Sequence, residues 1–209
     1  MRPETPISKT VGIVLLAAGK STRMGRGGQH KLLAEFDGVP LVRHLTIEAL
    51  ASGASAVTVV TGYRRDKIVA CLSGLEVSFV HNPNYASGMA TSLIAGWLAS
   101  WHRSADGVLI MLADMPHVTA EHLRKLISCF RDSGGGVIVR AVGKGRWGNP
   151  VILPQSLGDE VQRLRGDIGA RHIILGSGLE VIDVDIGEAA LIDVDTPEDV
   201  IASGGKLKA

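Results

Sequence analysis

Aromatic side chains are scarce, 4 % of 209 residues. That scarcity argues against the stacking platforms on which single-stranded nucleic acids are held. Charge of one sign is scarce as well: 22 Lys and Arg stand against 21 Asp and Glu, a formal net charge of +1. The chain as a whole therefore favours neither nucleic acid nor an anionic membrane, and any positive site has to be local. There are two cysteines, Cys71 and Cys129, far apart and in apolar, helical-looking contexts. They read as buried free thiols rather than as a disulfide or a metal pair. No uncharged apolar run reaches membrane-spanning length, and residues 1–10 (MRPETPISKT) lack the apolar centre of a signal peptide. His117 and His122, the closest histidine pair, are five residues apart and do not share a helical face, which excludes a zinc site there. The expectation is a cytoplasmic protein with no nucleic-acid or membrane partner.

What is present is a sustained alternation of short apolar runs with helical patterns. The predicted strands are Gly12–Leu16, Ala56–Thr61, Glu76–Val80, Gly107–Leu112, Val137–Val142 and Leu179–Asp185. The early ones are continuous apolar runs, as strands buried on both faces of a parallel sheet must be. Between them, Pro40 is placed to open a helix and Gly53 to close it. Leu93, Trp97 and Trp101 recur every four residues, and Leu123, Ile127 and Phe130 form a second stripe after Thr119, an expected N-cap. Thr196-Pro197-Glu198-Asp199 combines an N-cap, a first-turn proline and two acids at the positive helix end. This pattern predicts an α/β fold: a three-layer, doubly wound, Rossmann-like sandwich on a mostly parallel sheet. Residues 11–203 are expected to form a single domain between flexible tails at 1–10 and 204–209. In such sheets ligands bind outside the carboxyl ends of the strands.

The first such end is distinctive. VGIVLLAAGKSTRMGRGGQHK, residues 11–31, runs from a buried strand directly into small residues and then into Lys20, Arg23, Arg26 and Lys31. It is not a Walker A loop, because the opening glycine would fall at Val14, and it lacks Gly-x-Gly-x-x-Gly. Ala17, Ala18 and Gly19 let the backbone approach a base or a phosphate, and Lys20, Arg23 and Lys31 can neutralise a polyphosphate. A second strand end, Leu109-Ile110-Met111-Leu112-Ala113-Asp114, delivers a carboxylate to the same edge. Beside a triphosphate it suits Mg²⁺, a hard cation commonly held by one or two carboxylates plus phosphate oxygens.

Leu16-Ala17-Ala18-Gly19-Lys20-Ser21-Thr22-Arg23-Met24-Gly25 with Lys31-Leu32-Leu33 resembles the LAAGxSxRMG…K signature of nucleotidyltransferases that share the molybdopterin-guanylyltransferase-like fold. LADMP, residues 112–116, resembles the same family at the other side of the site. The resemblance implies that Leu16, Ala17 and Ala18 meet base and ribose while Gly19, Arg23 and Lys31 hold phosphates. Arg23, Lys31 and Asp114 are then the expected catalytic groups, with Asp114 on Mg²⁺. Asp193-Val194-Asp195-Thr196-Pro197-Glu198-Asp199 resembles the family's DIDTPED segment; Asp193 or Asp195 is a candidate second metal ligand, and helix capping accounts for Asp195 and Thr196 equally well.

Residues 82–96, NPNYASGMATSLIAG, resemble the NPxxxxGMxxSLxxG stretch of molybdenum cofactor cytidylyltransferases. Thr61, Asn82, Gly88 and Ser92 complete the expected nucleotide contacts, Gly88 by opening space and the following helix start by offering amides to an anion. Ala18 in place of glycine and GMATSL in place of a GPLAG-like sequence favour CTP over GTP. Residues 145–151 match GxxGxPV and residues 166–171 match GDxGAR, which places Asn149, Asp167 and Arg171 on the acceptor side, Arg171 serving there or in a salt bridge. The implied reaction moves CMP from CTP to the phosphate of molybdopterin, with Mg²⁺ as cofactor and transient contact with a molybdoenzyme or its chaperone. The alternatives are GTP or a sugar-phosphate acceptor on the same fold, or a non-catalytic nucleotide- or cofactor-binding partner.

Overall fold

The computed structural model describes residues 9–25, 29–99 and 105–207. Arg26 and Trp101 lie outside these residues, as do the ends of both expected tails. Seven strands make the main sheet: β1 Val11–Ala17, β4 Ala56–Thr61, β5 Ser78–His81, β6 Gly107–Leu112, β7 Ile138–Gly143, β8 Arg146–Pro154 and β9 Val181–Asp185. Two short strands, β2 Glu35–Phe36 and β3 Val39–Pro40, pair separately. The order is β5-β4-β1-β6-β8-β7-β9, and every neighbouring pair is parallel except those that β8 makes with β6 and β7. The mostly parallel, doubly wound sandwich expected from the alternation is the observed fold.

β1 lies inside the sheet between β4 and β6, as a strand buried at every residue from Val11 to Leu15 must. Its alternate side chains supply two separate cores. Ile13 and Leu15 face the layer built on helices α1 Leu41–Leu50, α2 Arg65–Cys71, α4 Ala120–Asp132 and α7 Pro197–Ala202. Val14, with Ala18 just past the strand, faces the layer of α3 Met89–Trp97, α5 Gly158–Arg163 and α6 Ala170–Gly176. Each fully buried Leu or Ile contributes about 1.5–3 kcal/mol of transfer free energy, so this strand anchors both layers at once. Gly96 lets α3 approach closely, since a Cβ there would run into Val14 and Val60.

The helix signals act as expected, with one refinement. Pro40 sits one residue before α1 as its N-cap, and Gly53 adopts φ +81 just beyond its end. Thr119 caps α4 through His122 N, and Thr196 caps α7 through Asp199 N, each in a reciprocal capping box.

Three expectations need correction. The tail assignments at 10 and 204 do not hold for the described residues: Thr10 N donates to Asp106, and Lys206 exchanges backbone bonds with Glu35 at 2.7 and 2.8 Å. Gly205 fits there because a side chain would strike Phe36. The cysteines, expected to be buried, are both half-buried: Cys71 on α2 and Cys129 on α4 pack against the margin of the core. Finally, residues 146–154 form a nine-residue antiparallel strand that is absent from the predicted strands; Lys144 and Gly145, with φ of 50 and 70, turn β7 back into it.

Candidate active site

β1 is where the winding of the sheet reverses, with β4 on one side and β6 on the other. Its carboxyl end is level with theirs: Ala17 pairs with Thr61 and Leu16 with Leu112. A cleft of ≈ 810 Å³ opens there, lined by the Leu16–Arg23 turn, Lys31, the 85–89 turn, Ser92, Asp114, Asp167, Asp193 and Asp195. Such a switch point is the place a doubly wound sheet binds its ligand.

Lys31 is the hub of this cleft. Its Nζ donates to Asp114 Oδ2 at 2.6 Å and to Asp195 Oδ1 at 2.6 Å, and Arg23 completes the cluster through the other Asp195 oxygen. The Lys31 side chain is 12 % exposed and that of Asp114 19 %. Burial disfavours the Lys31 ammonium, but the two carboxylates outweigh it and raise its pKa above the usual lysine value. Burial likewise opposes ionisation of Asp195, and Lys31 and Arg23 together still hold its carboxyl below the ordinary range. Asp193 goes the other way. Partial desolvation of its carboxyl, followed by the charges on Asp114 and Asp195, pushes it up against the pull of Lys31, although the residue as a whole is exposed.

Carboxylate oxygens of Asp114, Asp193 and Asp195 lie within 4.8 Å of one another. Asp114 Oδ1 is buried without a hydrogen-bond partner. An orphaned carboxylate oxygen beside two further carboxylates is the donor set a hard divalent cation takes. Asp195 also shares the α7 cap, because its backbone N–H donates to Asp199; its side chain remains on the cleft, so capping and cleft roles coexist.

The turn after β1 is braced from behind. Tyr63 N donates to Ala18 O at 3.1 Å, and His30 Nε2 lies 3.1 Å from Gly19 O. The His30 and Tyr63 rings stack at 5.8 Å. At the front, Lys20 lies over Tyr85, with Nζ 5.8 Å from the ring centroid.

A second pocket of ≈ 250 Å³ adjoins the cleft, sharing Met89 and Leu112, and is lined by Arg140, Trp147, Asn149, Gly169 and Arg171. Arg140 is buried and bidentate on Asp183 at 2.9 and 3.1 Å. Its guanidinium carbon lies 4.0 Å from the Trp147 ring centre, and that of Arg171 lies 5.5 Å from it. Arg140 is thus neutralised by Asp183, whereas Arg171 rests on an indole that is 49 % exposed. Sequence reasoning placed Asn149 and Arg171 here but missed Arg140 and Trp147; an arginine inside the apolar VIVRAV run was the available signal.

Several expected residues are elsewhere. Ala17 is fully buried in the core behind the cleft. Thr61 is buried too, its hydroxyl donating to Val80 O. Asn82 is buried because it latches the chain internally: its amide donates to Thr91 and Ser92, and its Oδ1 accepts from Asn84 N. The start of α3 does not offer its first amides to a ligand, since Met89 N donates to Asp167 and Ala90 N to Gly166 O. Gly88 makes room for backbone rather than for ligand: with φ 108 and ψ 169, any Cβ would collide with the Gly166 carbonyl. Asp167 therefore serves as the cap that joins the 166–171 loop to α3. A Gly88→Ala variant should lose about 2–3 kcal/mol from the disallowed backbone alone; its urea midpoint measures this.

The sequence model of the MobA-like NTP transferase domain matches residues 13–181. The chain belongs to this family. Among relatives, Bacillus subtilis purine catabolism protein PucB is 30 % identical over 89 % of this MobA-like chain and 92 % of its own length. Molybdenum cofactor guanylyltransferase of Pseudomonas aeruginosa and cytidylyltransferase of Escherichia coli K12 are 28 % and 26 % identical, over 94 % and 92 % of this chain and 95 % of each of theirs. These near-equal values support the family but do not single out the cytidylyl expectation. The bifunctional protein GlmU of Halorhodospira halophila is 37 % identical over 56 % of the chain, which spans 24 % of GlmU's length. A nucleotidyl transferase from Methanothermobacter thermautotroptrophicus has the same fold, with TM-score 0.80 at 23 % identity, covering 93 % of this chain and 96 % of that one. No described helix is long and apolar enough to cross a membrane.

Proposed function

We propose that this MobA-like chain is a Mg²⁺-dependent nucleotidyltransferase that moves CMP from CTP to the phosphate of molybdopterin and releases pyrophosphate. The observation that carries this reading is Lys31, held between Asp114 and Asp195 at the switch point of the sheet. It supplies phosphate-binding charge and cation-binding charge within one cleft.

The nucleophile is a phosphate oxygen of the acceptor, dianionic near neutral pH because its second pKa is about 6. It forms a bond to the α-phosphorus while the bond from that phosphorus to the bridging oxygen of pyrophosphate breaks. No side-chain base is needed, and catalysis reduces to alignment and charge stabilisation. A divalent cation on Asp114 and on Asp193 or Asp195 would supply a Lewis acid for phosphate oxygens. Lys31 and Arg23 would neutralise the leaving pyrophosphate, a role their charge in the cleft supports. Arg171, over Trp147 in the adjoining pocket, supplies the cation for the acceptor phosphate, and Asn149 a polar group beside it.

The preference for CTP rests on GMATSL in place of a GPLAG-like sequence and on Ala18 in place of glycine. The methyl of Ala18 lies in a tight stack with Gly62 and Tyr85, where a Cβ added at Gly62 would sit 2.9 Å from the Ala18 methyl and 2.7 Å from Tyr85. A glycine at 18 would remove that methyl from the wall of the cleft, and the alanine is what the family resemblance associates with CTP.

Thermal shift with MgCTP, MgGTP and MgUTP tests the assignment. Nucleotide at a hundredfold excess over its dissociation constant should stabilise the fold by about 2.7 kcal/mol. A shift with CTP alone is expected. A shift with GTP alone would move the reading to guanylyl transfer, and binding without pyrophosphate release in the presence of acceptor would favour a non-catalytic role.

A further inference from the structure

His30 occupies an unusual position for a polar residue. It is 3 % exposed, immediately before Lys31, and its ring lies behind the 18–20 turn rather than among the residues that line the cleft. Both ring nitrogens are engaged. The Leu32 amide donates to Nδ1 at 3.3 Å, and Nε2 lies 3.1 Å from the Gly19 carbonyl oxygen. Because Nδ1 accepts, the proton of a neutral imidazole must be on Nε2, where it donates to Gly19. The environment keeps the ring neutral: burial, and then the charges of Arg64 and Lys31, lower its pKa to about 4 against the opposing pull of the Gly19 carbonyl. Tyr63, stacked on the ring, ties the preceding carbonyl, that of Ala18.

These two ties set the direction of the turn. In a planar trans peptide the carbonyl of one residue and the amide hydrogen of the next point to opposite sides. With the Ala18 and Gly19 carbonyls held by Tyr63 N and His30, the Gly19 and Lys20 amide hydrogens face the other way, away from these partners.

We propose that His30 is a positioning residue, whose imidazole holds the Gly19 carbonyl behind the turn and thereby aims the Lys20 amide at the nucleotide phosphates while its backbone delivers Lys31 beside them. This rests on the nucleotidyl-transfer reading for the identity of the ligand, but the geometry of the turn itself does not.

Two substitutions separate this role from simple packing. His30→Asn places an acceptor near the Nδ1 position and keeps the Leu32 contact, but does not reach Gly19. His30→Gln places a donor near the Nε2 position and can keep the Gly19 contact. In both variants, hydrogen exchange of residues 16–24 is measured in the free protein, and KM for CTP by pyrophosphate release. Expected for His30→Asn are faster exchange in this segment and a KM raised about tenfold, the size of one misplaced charge-assisted hydrogen bond, with His30→Gln close to wild type in both. Equal behaviour of the two variants, or loss confined to Gln, would overturn the proposal. If the exchange difference is found and the wild type releases pyrophosphate from neither CTP nor GTP, His30 keeps its role in the turn and the transfer reading fails.

Discussion

An Asp114→Ala variant is expected to fold normally and to lose about 10²–10³-fold or more in CMP transfer, the cost of deleting one preorganised electrostatic group at a reacting phosphate. The fold should survive because Asp114 stands at the edge of the sheet, and Lys31 retains Asp195 when Asp114 is removed. Its buried, partnerless Oδ1 is a cost in the free protein, so deleting it relieves part of what the loss of the Lys31 bond removes. Activity should fall with no recovery at higher Mg²⁺ concentration, since the remaining Asp193 and Asp195 leave a donor set of two. The parallel variants Asp193→Ala and Asp195→Ala decide which of them shares the cation: the ligand's loss should raise the Mg²⁺ requirement, the other's should not. Pyrophosphate release measured against Mg²⁺ concentration gives all three answers. Turnover of Asp114→Ala within a few-fold of wild type would remove Asp114 from the mechanism.

Why was the place of Asp114 legible in the sequence when its ion pair with Lys31 was not? An acid directly after a run of buried apolar residues can only stand at a strand end, and β6 ends there. β1 was legible for the same reason: a chain buried on both faces has no polar residue to blur its period. The ion pairs of Lys31, in contrast, join residues 83 and 164 positions away, and nothing local announces them. β8 was hidden by its own composition. Its first half, Arg146–Asn149, is exposed to half-buried and carries Gly and polar groups, so no strand period shows there. Only Val151–Leu153 reads as apolar, and that segment is too short to separate a strand from a loop.

Residues taken from motifs fared differently according to what the motif encodes. Leu16, Ala18, Gly19, Arg23, Lys31, Gly88, Ser92, Asp114, Asp167 and Asp195 all line the cleft. Thr61 and Asn82 were expected to contact nucleotide, yet their side chains close hydrogen bonds within the protein. Gly88 and Asp167 touch the cleft while serving chiefly to dock one loop on another, a use of glycine and aspartate that only the approach of Gly166 reveals.

Replacing Lys31 by Met, which keeps the bulk and removes the charge, is expected to alter stability and its pH dependence together. Without the ammonium, Asp114, Asp193 and Asp195 face one another across less than 4.8 Å with Arg23 as the remaining cation already described in the cluster. Breaking a fully buried pair costs about 3–5 kcal/mol; this cluster opens on the cleft, so about 2 kcal/mol at pH 7 is the expectation, roughly 4–8 °C for a chain of this size. In the wild type, Asp195 is held below its ordinary range, so its contribution is present above the unfolded carboxyl value of about 3.9 and is lost as pH falls through the folded one. Lys31, raised above its ordinary value, contributes below about 10.4 and is lost as pH climbs through its folded pKa. In the variant the carboxyls are pushed above 3.9 instead. Their ionisation then opposes folding at pH 7, and that penalty disappears as the solution is acidified through the raised values. Asp193 is already raised in the wild type, so the variant's melting temperature should gain more from pH 7 toward pH 5 than that of the wild type, and Mg²⁺ should stabilise the variant more. If melting is unchanged at pH 7 and carries no added pH or Mg²⁺ dependence, the three carboxylates are solvated well enough to tolerate one another, and the charge of Lys31 is held for phosphate alone.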